Sequence, residues 1–331
     1  MTGPAVDPAP GQLRLPSPAA GPAARVTALV VTYNRRELLL EALAAVQAQS
    51  HPPDQVIVVD NASADGTAAA VRAAFPSVQL ASLDRNTGGA GGFAYGMALA
   101  IADGADLIWL MDDDTVPEPG ALAALLLARD GHAAPAPALI ASRVVWTDGN
   151  AHPMNTPRVK PLVSPAERAA AGAVGCLPIR SASFVSILIE AGACQRSGLP
   201  QADYFLWNDD FEFTARLLRD RTGLLCPASV VVHKTSTFGG TDLDPGPRFF
   251  YEVRNKIWTL RARSPLAPVE RALYTASTLR RWARTFARSA DRGTLARELL
   301  RGVAAGVRTR PRPTEEVLAG FGLTVPVRAQ D

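Results

Sequence analysis

Short apolar runs alternate with longer amphipathic segments from residue 25 onwards. The first strand is predicted at RVTALVVTYN, and leucines and alanines at helical spacing follow in RELLLEALAAVQAQ. Further strands are predicted at QVIVVD, SVQLASLD and DLIWLMDDD, separated by helices at TAAAVRAAF and GFAYGMALAIADG. Alternation of this kind builds parallel β-α-β units. The chain is therefore predicted to have an α/β fold with a mostly parallel sheet flanked by helices.

The pattern is less regular beyond residue 130. Strands are predicted at ALIASRVVW, SASFVSILIE and LLCPASVVVH, with a helix at DDFEFTARLLRD. From about residue 247 the chain is predicted to be helical and rich in arginine. We expect three regions: a disordered leader rich in Pro and Ala over 1–24, an α/β domain over 25–246, and a basic helical region over 247–331.

Charge is distributed unevenly along the chain, although the formal net charge is only +3. Residues 248–331 hold 17 Arg or Lys against 7 Asp or Glu, which leaves 17 against 24 for the rest. A basic end on an acidic body suggests an anionic surface as partner. The three cysteines lack metal-ligand spacing and fit a reducing cytoplasm. No apolar window is long enough to span a membrane, and nothing resembles a nucleic-acid-binding module.

Polar residues follow each of the first four predicted strands. Thr32 and Asn34 follow the first, Asp60 the second, and Arg85 and Asn86 the third. In an open parallel sheet, ligands bind beyond the carboxyl ends of the strands, where these loops converge. The sequence therefore predicts a binding site along this edge.

Three consecutive carboxylates, Asp112, Asp113 and Asp114, end the fourth predicted strand. Such carboxylates provide ligands for a hard cation such as Mg²⁺ or Mn²⁺, which takes its remaining ligands from water and substrate phosphates. In an extended segment, Asp112 and Asp114 are expected to point to one side and Asp113 to the other. The alternative is a solvated turn or helix cap before the segment PEPGALAALL.

Several segments together resemble glycosyltransferase family 2 enzymes with a GT-A fold: VVTYNR, VVDNASADGT, RNTGGAGGF, MDDD, WNDDFEF and VVVHKT. The resemblance extends over roughly residues 25–263. The combination of NTGGAGGF with MDDD is similar to the galactofuranosyltransferases of cell-wall galactan synthesis. Those enzymes use UDP-galactofuranose and a polyprenyl-diphosphate-linked acceptor. The modest length resembles the initiating enzyme more than the longer polymerase.

The resemblance implies roles for individual residues. Binding of the donor nucleotide-sugar is implied for Thr32, Asn34, Asp60, Arg85, Asn86, Gly88, Gly89 and Asp113. The implied metal ligands are Asp112, Asp114 and His233, although a lone histidine after a strand is more often structural. In WNDDFEF, Asn208 separates Trp207 from the two acids, which departs from the family pattern.

Transfer from a sugar diphosphate requires a base that accepts the proton of the attacking hydroxyl. Asp209, Asp210 and Glu212 start a predicted helix, where the N–H groups of the first turn favour anions. We assign the base to Asp210, with Asp209 as its catalytic neighbour, and predict inverting displacement. Trp207 and Glu212 are predicted to bind the acceptor, although Trp207 fits a core position equally well. The alternative for the acids is an ordinary acidic helix start.

The basic region contains TLRRWARTFARSA, which places Arg280, Arg281, Arg284 and Arg288 at helical spacing. With Leu279, Trp282 and Phe286 interleaved, such a helix fits an anionic membrane surface, or a solvated face whose arginines pair with the acidic body. The predicted partners are UDP-galactofuranose, a lipid-linked rhamnosyl-GlcNAc-type glycan and the inner face of the plasma membrane. No nucleic-acid partner is expected, and a homo-oligomer is left open.

Three other functions fit parts of the sequence. A rhamnosyltransferase that uses a dTDP sugar would share the first half of the chain. The run DLIWLMDDDTV also matches the nucleophile motif of haloacid-dehalogenase-like phosphatases, but that motif belongs on the first strand of its fold. The third is a glycan-binding module without catalytic activity. The carboxylates present at every position expected of an active enzyme argue against it.

Overall fold

A computed structural model of the protein describes residues 24–133, 135–235, 244–261 and 265–322. Apart from Ala24, the predicted leader lies outside these residues. The strands are β1 (Val26–Thr32), β2 (Gln55–Asp60), β3 (Gln79–Ser82), β4 (Leu107–Asp112), β5 (Thr115–Pro117), β6 (Leu139–Val145), β7 (Arg158–Val159), β8 (Leu177–Ser181), β9 (Ile187–Glu190) and β10 (Gly223–His233). The helices are α1 (Arg36–Gln47), α2 (Thr67–Ala74), α3 (Gly88–Ala102), α4 (Ala121–Gly131), α5 (Pro165–Ala173), α6 (Ala191–Ser197), α7 (Asp209–Leu217), α8 (Phe249–Thr259), α9 (Pro268–Arg288), α10 (Arg292–Arg308) and α11 (Thr314–Val317).

Within the described residues the strands form one mixed sheet in the order β3-β2-β1-β4-β9-β6-β10-β8-β7, with β5 paired to β10. Strands β1 to β4 are parallel, as the alternating pattern predicts. Strand β9 is antiparallel to both β4 and β6, and β10 is parallel to β6. The carboxyl ends of β1, β2, β4, β6 and β10 therefore lie along one edge of the sheet.

Apolar residues cover both faces of the sheet, because successive side chains of a strand point to opposite sides. On β1, Leu29 and Val31 pack with Phe93 and Met97 of α3, whereas Val30 packs on the opposite face. The glycine-rich start of α3 allows it to lie close against β1 and β2. This two-sided burial explains why the first strands are almost continuously apolar.

Helices α8 to α11 confirm the helical prediction for the basic region. Helix α10 packs on α8, and a Cβ atom added at Gly302 would come within 2.7 Å of Val253 Cβ, so glycine permits this close contact. Helix α9 was expected to lie on an anionic membrane surface or to be a solvated helix, and two of its aromatic residues are instead partly covered. Trp282 and Phe286 are half-buried against Phe249, because α9 folds back onto α8. No helix of the described segments is long and apolar enough to cross a membrane.

Candidate active site

The structure brings Asp112, Asp114 and His233 together at the carboxyl edge of the sheet. Potential ligand atoms of the three side chains all lie within 4.8 Å of one another. The strand register explains the meeting, since β5 folds back along β10 and pairs Thr115 with His233. Asp114, directly before Thr115, is thereby placed beside the imidazole. The predicted metal ligands thus form one cluster, although they are separated by about half of the domain in sequence.

The imidazole of His233 is held between two oxygen atoms. Its Nδ1 lies 2.9 Å from Asn155 Oδ1, and Asn155 Nδ2 donates to Ser183 Oγ at 3.2 Å. Because an amide oxygen only accepts, Nδ1 carries the hydrogen. The second ring nitrogen, Nε2, lies 2.8 Å from Asp114 Oδ1. A proton or a cation must occupy this contact.

Asp114 Oδ1 is buried and has no hydrogen-bond donor among the described residues. A buried acceptor without a donor costs free energy unless another group satisfies it. Two carboxylates and one imidazole whose second nitrogen donates its hydrogen to an amide oxygen can hold a divalent cation such as Mn²⁺. The residues present therefore fit a divalent cation.

Arg35, to which the sequence assigned no role, contacts two of the three consecutive acids. Its Nη1 lies 2.5 Å from Asp114 Oδ2 and 3.3 Å from Asp113 Oδ1, while half of its side chain is exposed. Asp113 also accepts from Thr32 Oγ1 at 2.8 Å and from the backbone N–H of Tyr33. Asp113 therefore links the end of β1 to Arg35, which also contacts Asp114.

The position of Asp113 corrects the expected geometry of the acidic run. β4 ends at Asp112, and Asp113 and Asp114 lie in a turn rather than in an extended segment. The turn separates Asp113 from the other two side chains, as expected, but for a different reason. Folding the chain back into β5 is what directs Asp114 towards His233.

Burial raises the pKa of each of the three acids, but neighbouring charges change the result from one acid to the next. Burial raises the pKa of Asp112 well above its usual value, and the charges of Asp114 and Asp113 add to this. Burial also raises the pKa of Asp113 to about 6, although Arg35 opposes the shift. For Asp114, burial acts in the same direction, but the contacts with His233 and Arg35 leave its pKa below the usual value. The cluster thus concentrates negative charge that a cation would neutralise.

The loops after β1 and β2 bind each other through the predicted nucleotide-site residues. Asn34 has a left-handed backbone (φ 53°), and its Oδ1 accepts from the Ala64 N–H at 2.7 Å. Asp60 is buried at the end of β2 and accepts from the Ser63 N–H at 2.9 Å. Both side chains hold this edge in shape. Their contact with a nucleotide stays a prediction.

The glycine-rich segment is fixed by Asn61, the residue that follows β2. Its Oδ1 accepts from the Thr87 N–H, and its Nδ2 donates to the Gly88 carbonyl. Gly88 has φ 71°, and a Cβ atom there would lie 1.9 Å from Phe205 O. The close neighbour of Gly88 is therefore the chain before α7, whereas Gly89 has open space around its Cα.

Arg85 and Asn86 lie beside the helices of the basic region. Arg85 donates to the Val317 carbonyl and stacks over the Phe321 ring at 4.3 Å, and Asn86 Oδ1 accepts from the Gly88 N–H. Both residues line a cavity of about 220 Å³ whose other walls include Asp203. Another cavity, of about 740 Å³, lies at the amino ends of β6 and β10 and includes none of the predicted site residues.

A second acidic pair, Asp209 and Asp210, begins α7. Burial raises the pKa of Asp209 to about 8, and the neighbouring charge of Asp210 adds to the shift. Burial also raises the pKa of Asp210, but the Phe211 N–H and the charges of Lys256 and Arg158 oppose it. Asp209 lies close enough to Asp112 to raise the pKa of that carboxyl as well. The two acidic groups therefore lie close enough to interact electrostatically.

The predicted acceptor-binding residues differ in their surroundings. Glu212 is buried and pairs with Arg216, whose Nε lies 2.8 Å from Glu212 Oε1. The same guanidinium donates to the carbonyls of Ser197 and Leu199, so this carboxylate is engaged in packing α7. Trp207 is half-buried with a left-handed backbone (φ 64°), and Asn208 separates it from the two acids. Acceptor binding by either residue stays a prediction.

We expect Asp209→Asn to stabilise the protein at alkaline pH. A carboxyl whose pKa rises from 3.8 to about 8 on folding binds more protons when folded. The contribution of Asp209 to the free energy of unfolding therefore falls as pH rises from about 4 to 8. At pH 8.5 the free energy of unfolding of the variant should exceed that of wild type by roughly 1–3 kcal/mol, so the variant should unfold at a higher temperature. The difference should shrink at pH 5. Calorimetry at both pH values, without divalent cations, provides the measurement, and an equal difference at both would contradict it.

Comparison with known proteins is consistent with this geometry. Residues 27–156 match the sequence profile of glycosyl transferase family 2. The chain is 36% identical over 198 residues to galactofuranosyltransferase GlfT1 of Mycolicibacterium smegmatis, covering 59% of this chain and 65% of that protein. It is 30% identical over 252 residues to galactofuranosyltransferase GlfT1 of Mycobacterium tuberculosis, covering 71% of this chain and 82% of that protein.

Solved structures of low sequence identity share the fold. S. aureus TarS 1–349 in complex with UDP has a TM-score of 0.55 at 16% identity, covering 81% of this chain and 74% of that chain. The mannosyltransferase PcManGT from Pyrobaculum calidifontis, in complex with GDP-Man and Mn²⁺, has a TM-score of 0.51 at 19% identity, covering 92% and 82%. The fold is therefore GT-A. The acidic run follows the fourth strand rather than the first, which excludes the phosphatase alternative. The chain belongs to glycosyltransferase family 2 and is a galactofuranosyltransferase-like glycosyltransferase.

Proposed function

We propose that the protein transfers galactofuranose from UDP-galactofuranose to a hydroxyl of a lipid-linked glycan, with inversion and with Mn²⁺ or Mg²⁺ as cofactor. The observation that carries the proposal is the cluster of Asp112, Asp114 and His233, whose potential ligand atoms all lie within 4.8 Å of one another. A divalent cation bound there would act as a Lewis acid on the leaving diphosphate. Identity to the two GlfT1 proteins supports galactofuranose as the sugar.

The residues around the cluster would position the donor. Arg35, half exposed and charged, can turn from Asp113 and Asp114 towards a phosphate group without leaving the site. Asp113 and Thr32 hold the loop after β1 in place beneath the nucleotide. Arg35 and the bound cation would stabilise the negative charge that develops on UDP as the bond between the sugar and the diphosphate breaks.

Asp210 is better suited than Asp209 to act as the base. At neutral pH, Asp209 retains its proton for much of the time, because its pKa lies near 8. Asp210 is less buried, and the positive charges of Lys256 and Arg158 favour its ionised form. Its carboxylate would take the proton of the acceptor hydroxyl as that oxygen attacks the anomeric carbon. One base and one leaving group on opposite faces of the sugar give inversion.

A donor panel tests the assignment of the sugar. Purified protein is incubated with a synthetic lipid-linked rhamnosyl-GlcNAc acceptor and either UDP-galactofuranose or dTDP-rhamnose, with and without EDTA. Mass spectrometry should show addition of one or more hexoses only with UDP-galactofuranose, and EDTA should abolish it. A deoxyhexose added from dTDP-rhamnose would identify a rhamnosyltransferase. Transfer that persists in EDTA would contradict the metal requirement.

The exposed side of α10 supports attachment to an anionic membrane. Its apolar side chains Leu300, Val303 and Val307 are exposed by 71%, 38% and 60%. Arginines 297, 301 and 308 flank them, and the acid of this helix, Glu298, is buried and paired with Arg297 and Arg301. An apolar stripe with flanking cations fits the boundary between anionic headgroups and acyl chains.

We expect Leu300→Glu to weaken binding to vesicles that contain phosphatidylglycerol by about tenfold or more, because it removes apolar surface and adds a negative charge. Leu127→Glu is the matched control, since Leu127 is 65% exposed on α4. It should bind as wild type does. Co-sedimentation with anionic and with zwitterionic vesicles measures the effect. Equal loss in both variants, or wild-type binding that ignores lipid charge, would contradict the surface assignment.

A further inference from the structure

The chain directly before the paired acids has an unusual backbone. Phe205, Trp207 and Asn208 all have left-handed φ values, of 63°, 64° and 67°. Each such residue costs on the order of 1–3 kcal/mol unless surrounding contacts enforce the conformation. Asp209 and Asp210 follow at once as the first residues of α7. The direction of the two carboxylates therefore depends on whatever holds this segment, which we call the 205–208 segment.

One buried amide on α8 binds the backbone of the 205–208 segment and its preceding residue. Asn255 Nδ2 lies 2.9 Å from the carbonyl oxygens of Tyr204, Leu206 and Trp207. Its Oδ1 accepts from Arg254 Nε, also at 2.9 Å, so the orientation of the amide is fixed. The side chain is completely buried. Arg254 Nη2 and the Leu206 N–H also donate to the Tyr204 carbonyl, so the carbonyls of Leu206 and Trp207 are the two that rely on Asn255 among the described contacts.

A second contact from α8 reaches the same segment one turn earlier. Asn208 Nδ2 donates to Glu252 Oε2 at 2.8 Å. Glu252 Oε1 in turn accepts from Arg281 and from Trp282 Nε1 of α9. Glu252 is thereby neutralised and held rigidly, and it can hold Asn208 without adding net charge beside the acids.

The opposite end of the segment is attached to the glycine-rich loop. The Phe205 carbonyl accepts from the Ala90 N–H at 3.3 Å and lies directly over Gly88. The 205–208 segment thus spans the distance between the loop that follows β3 and the helix that carries the acids. A small shift of its backbone would move Asp209 and Asp210 relative to a bound nucleotide-sugar.

We infer that Asn255, assisted by Glu252, is a positioning residue that holds the 205–208 segment in its left-handed conformation and so aims the paired acids at the reacting hydroxyl. Neither side chain touches the cluster around Asp114. Asn255 holds the segment through a neutral amide, and the neighbouring Arg254 donates to the carbonyls of Asp203 and Tyr204 just before it. The inference rests on the proposed function only for its catalytic readout.

Asn255→Ala tests the inference, with Thr259→Val as the matched control. Thr259 is buried on the same helix and hydrogen-bonds the Tyr204 hydroxyl, but it donates to none of the segment's carbonyls. For Asn255→Ala we expect kcat to fall by about 100-fold, with affinity for UDP in Mn²⁺ changed less than threefold. Hydrogen–deuterium exchange should accelerate in the peptide over 204–213. Thr259→Val should lose thermal stability while keeping kcat within threefold and leaving that exchange unchanged.

Two further outcomes separate the possibilities. If Asn255→Ala does not fold, Asn208→Gly replaces it, because glycine adopts the same φ and only the link to Glu252 is lost; kcat should then fall by about tenfold. If the wild type transfers no sugar, the proposed function fails, whereas faster exchange over 204–213 in Asn255→Ala still supports the inference. The inference would be overturned if Asn255→Ala kept the kcat of an active wild type. It would also be overturned if hydrogen–deuterium exchange over 204–213 were unchanged in Asn255→Ala.

Discussion

Asp210→Asn should reduce sugar transfer by about 10³-fold or more while leaving UDP binding within threefold of wild type. The amide keeps the size of the carboxylate but cannot accept the proton of the attacking hydroxyl, and general base catalysis typically contributes 10²–10⁴-fold. UDP affinity should survive, because the substitution leaves Asp112, Asp114 and His233 unchanged. Steady-state kinetics and calorimetric titration with UDP in Mn²⁺ provide the two measurements.

The neighbouring acid supplies the comparison for this variant. Asp209→Asn removes a carboxyl that is largely protonated near neutral pH, so its kcat should fall less than that of Asp210→Asn. Asp130→Asn, at an exposed position on α4, controls for the loss of one negative charge. The base assignment is wrong if Asp210→Asn turns over at more than a tenth of the wild-type rate. A larger loss in Asp209→Asn would exchange the two roles.

Asp114→Ala should abolish the part of UDP affinity that depends on a divalent cation, a loss of at least 100-fold in Mn²⁺. The substitution removes one of three ligands and leaves the charge of Arg35 without its closest partner. Affinity in EDTA should change little, because the loops after β1 and β2 are held by other contacts. Calorimetric titration of UDP with and without Mn²⁺ separates these effects.

Asp113→Asn is the matched control, since it alters the same acidic run without removing a ligand. Its carboxylate binds Thr32 and Arg35 and lies outside the cluster of Asp112, Asp114 and His233. We expect a loss of less than tenfold, independent of the cation. If Asp114→Ala bound UDP in Mn²⁺ as tightly as wild type, chelation by this residue would be refuted.

The first half of the fold could be predicted from sequence because its signals are local. Strands β1 to β4 are largely apolar runs bounded by turns, and helices α1 and α2 show helical periodicity. The meeting of polar residues at one edge follows from parallel strand direction alone. These steps require no knowledge of contacts between distant residues.

The support of the site could not be predicted in the same way. Asn255 and Glu252 act on a segment about 45 residues earlier, and no periodic pattern reveals that one buried amide binds three carbonyls. The arrangement of the acidic run was predicted for the wrong reason, because the pairing of β5 with β10 is a long-range contact. Arg35 had a visible charge within VVTYNR, but its partners follow only from the fold.

Surface assignments failed where one helix covers another. Trp282 and Phe286 have the spacing of a membrane-facing stripe, yet they pack against Phe249. Leu300 and Val307 on α10 carry the exposed stripe instead. An amphipathic pattern shows that a helix has an apolar face, but only tertiary packing determines what that face contacts.

A crystal of the protein soaked with MnCl₂ and UDP tests the central claim most directly. Anomalous scattering should place one manganese ion about 2.0–2.3 Å from oxygens of Asp112 and Asp114 and from His233 Nε2. The diphosphate of UDP should complete its coordination. A nucleotide bound elsewhere, with no anomalous peak between these three side chains, would contradict the account.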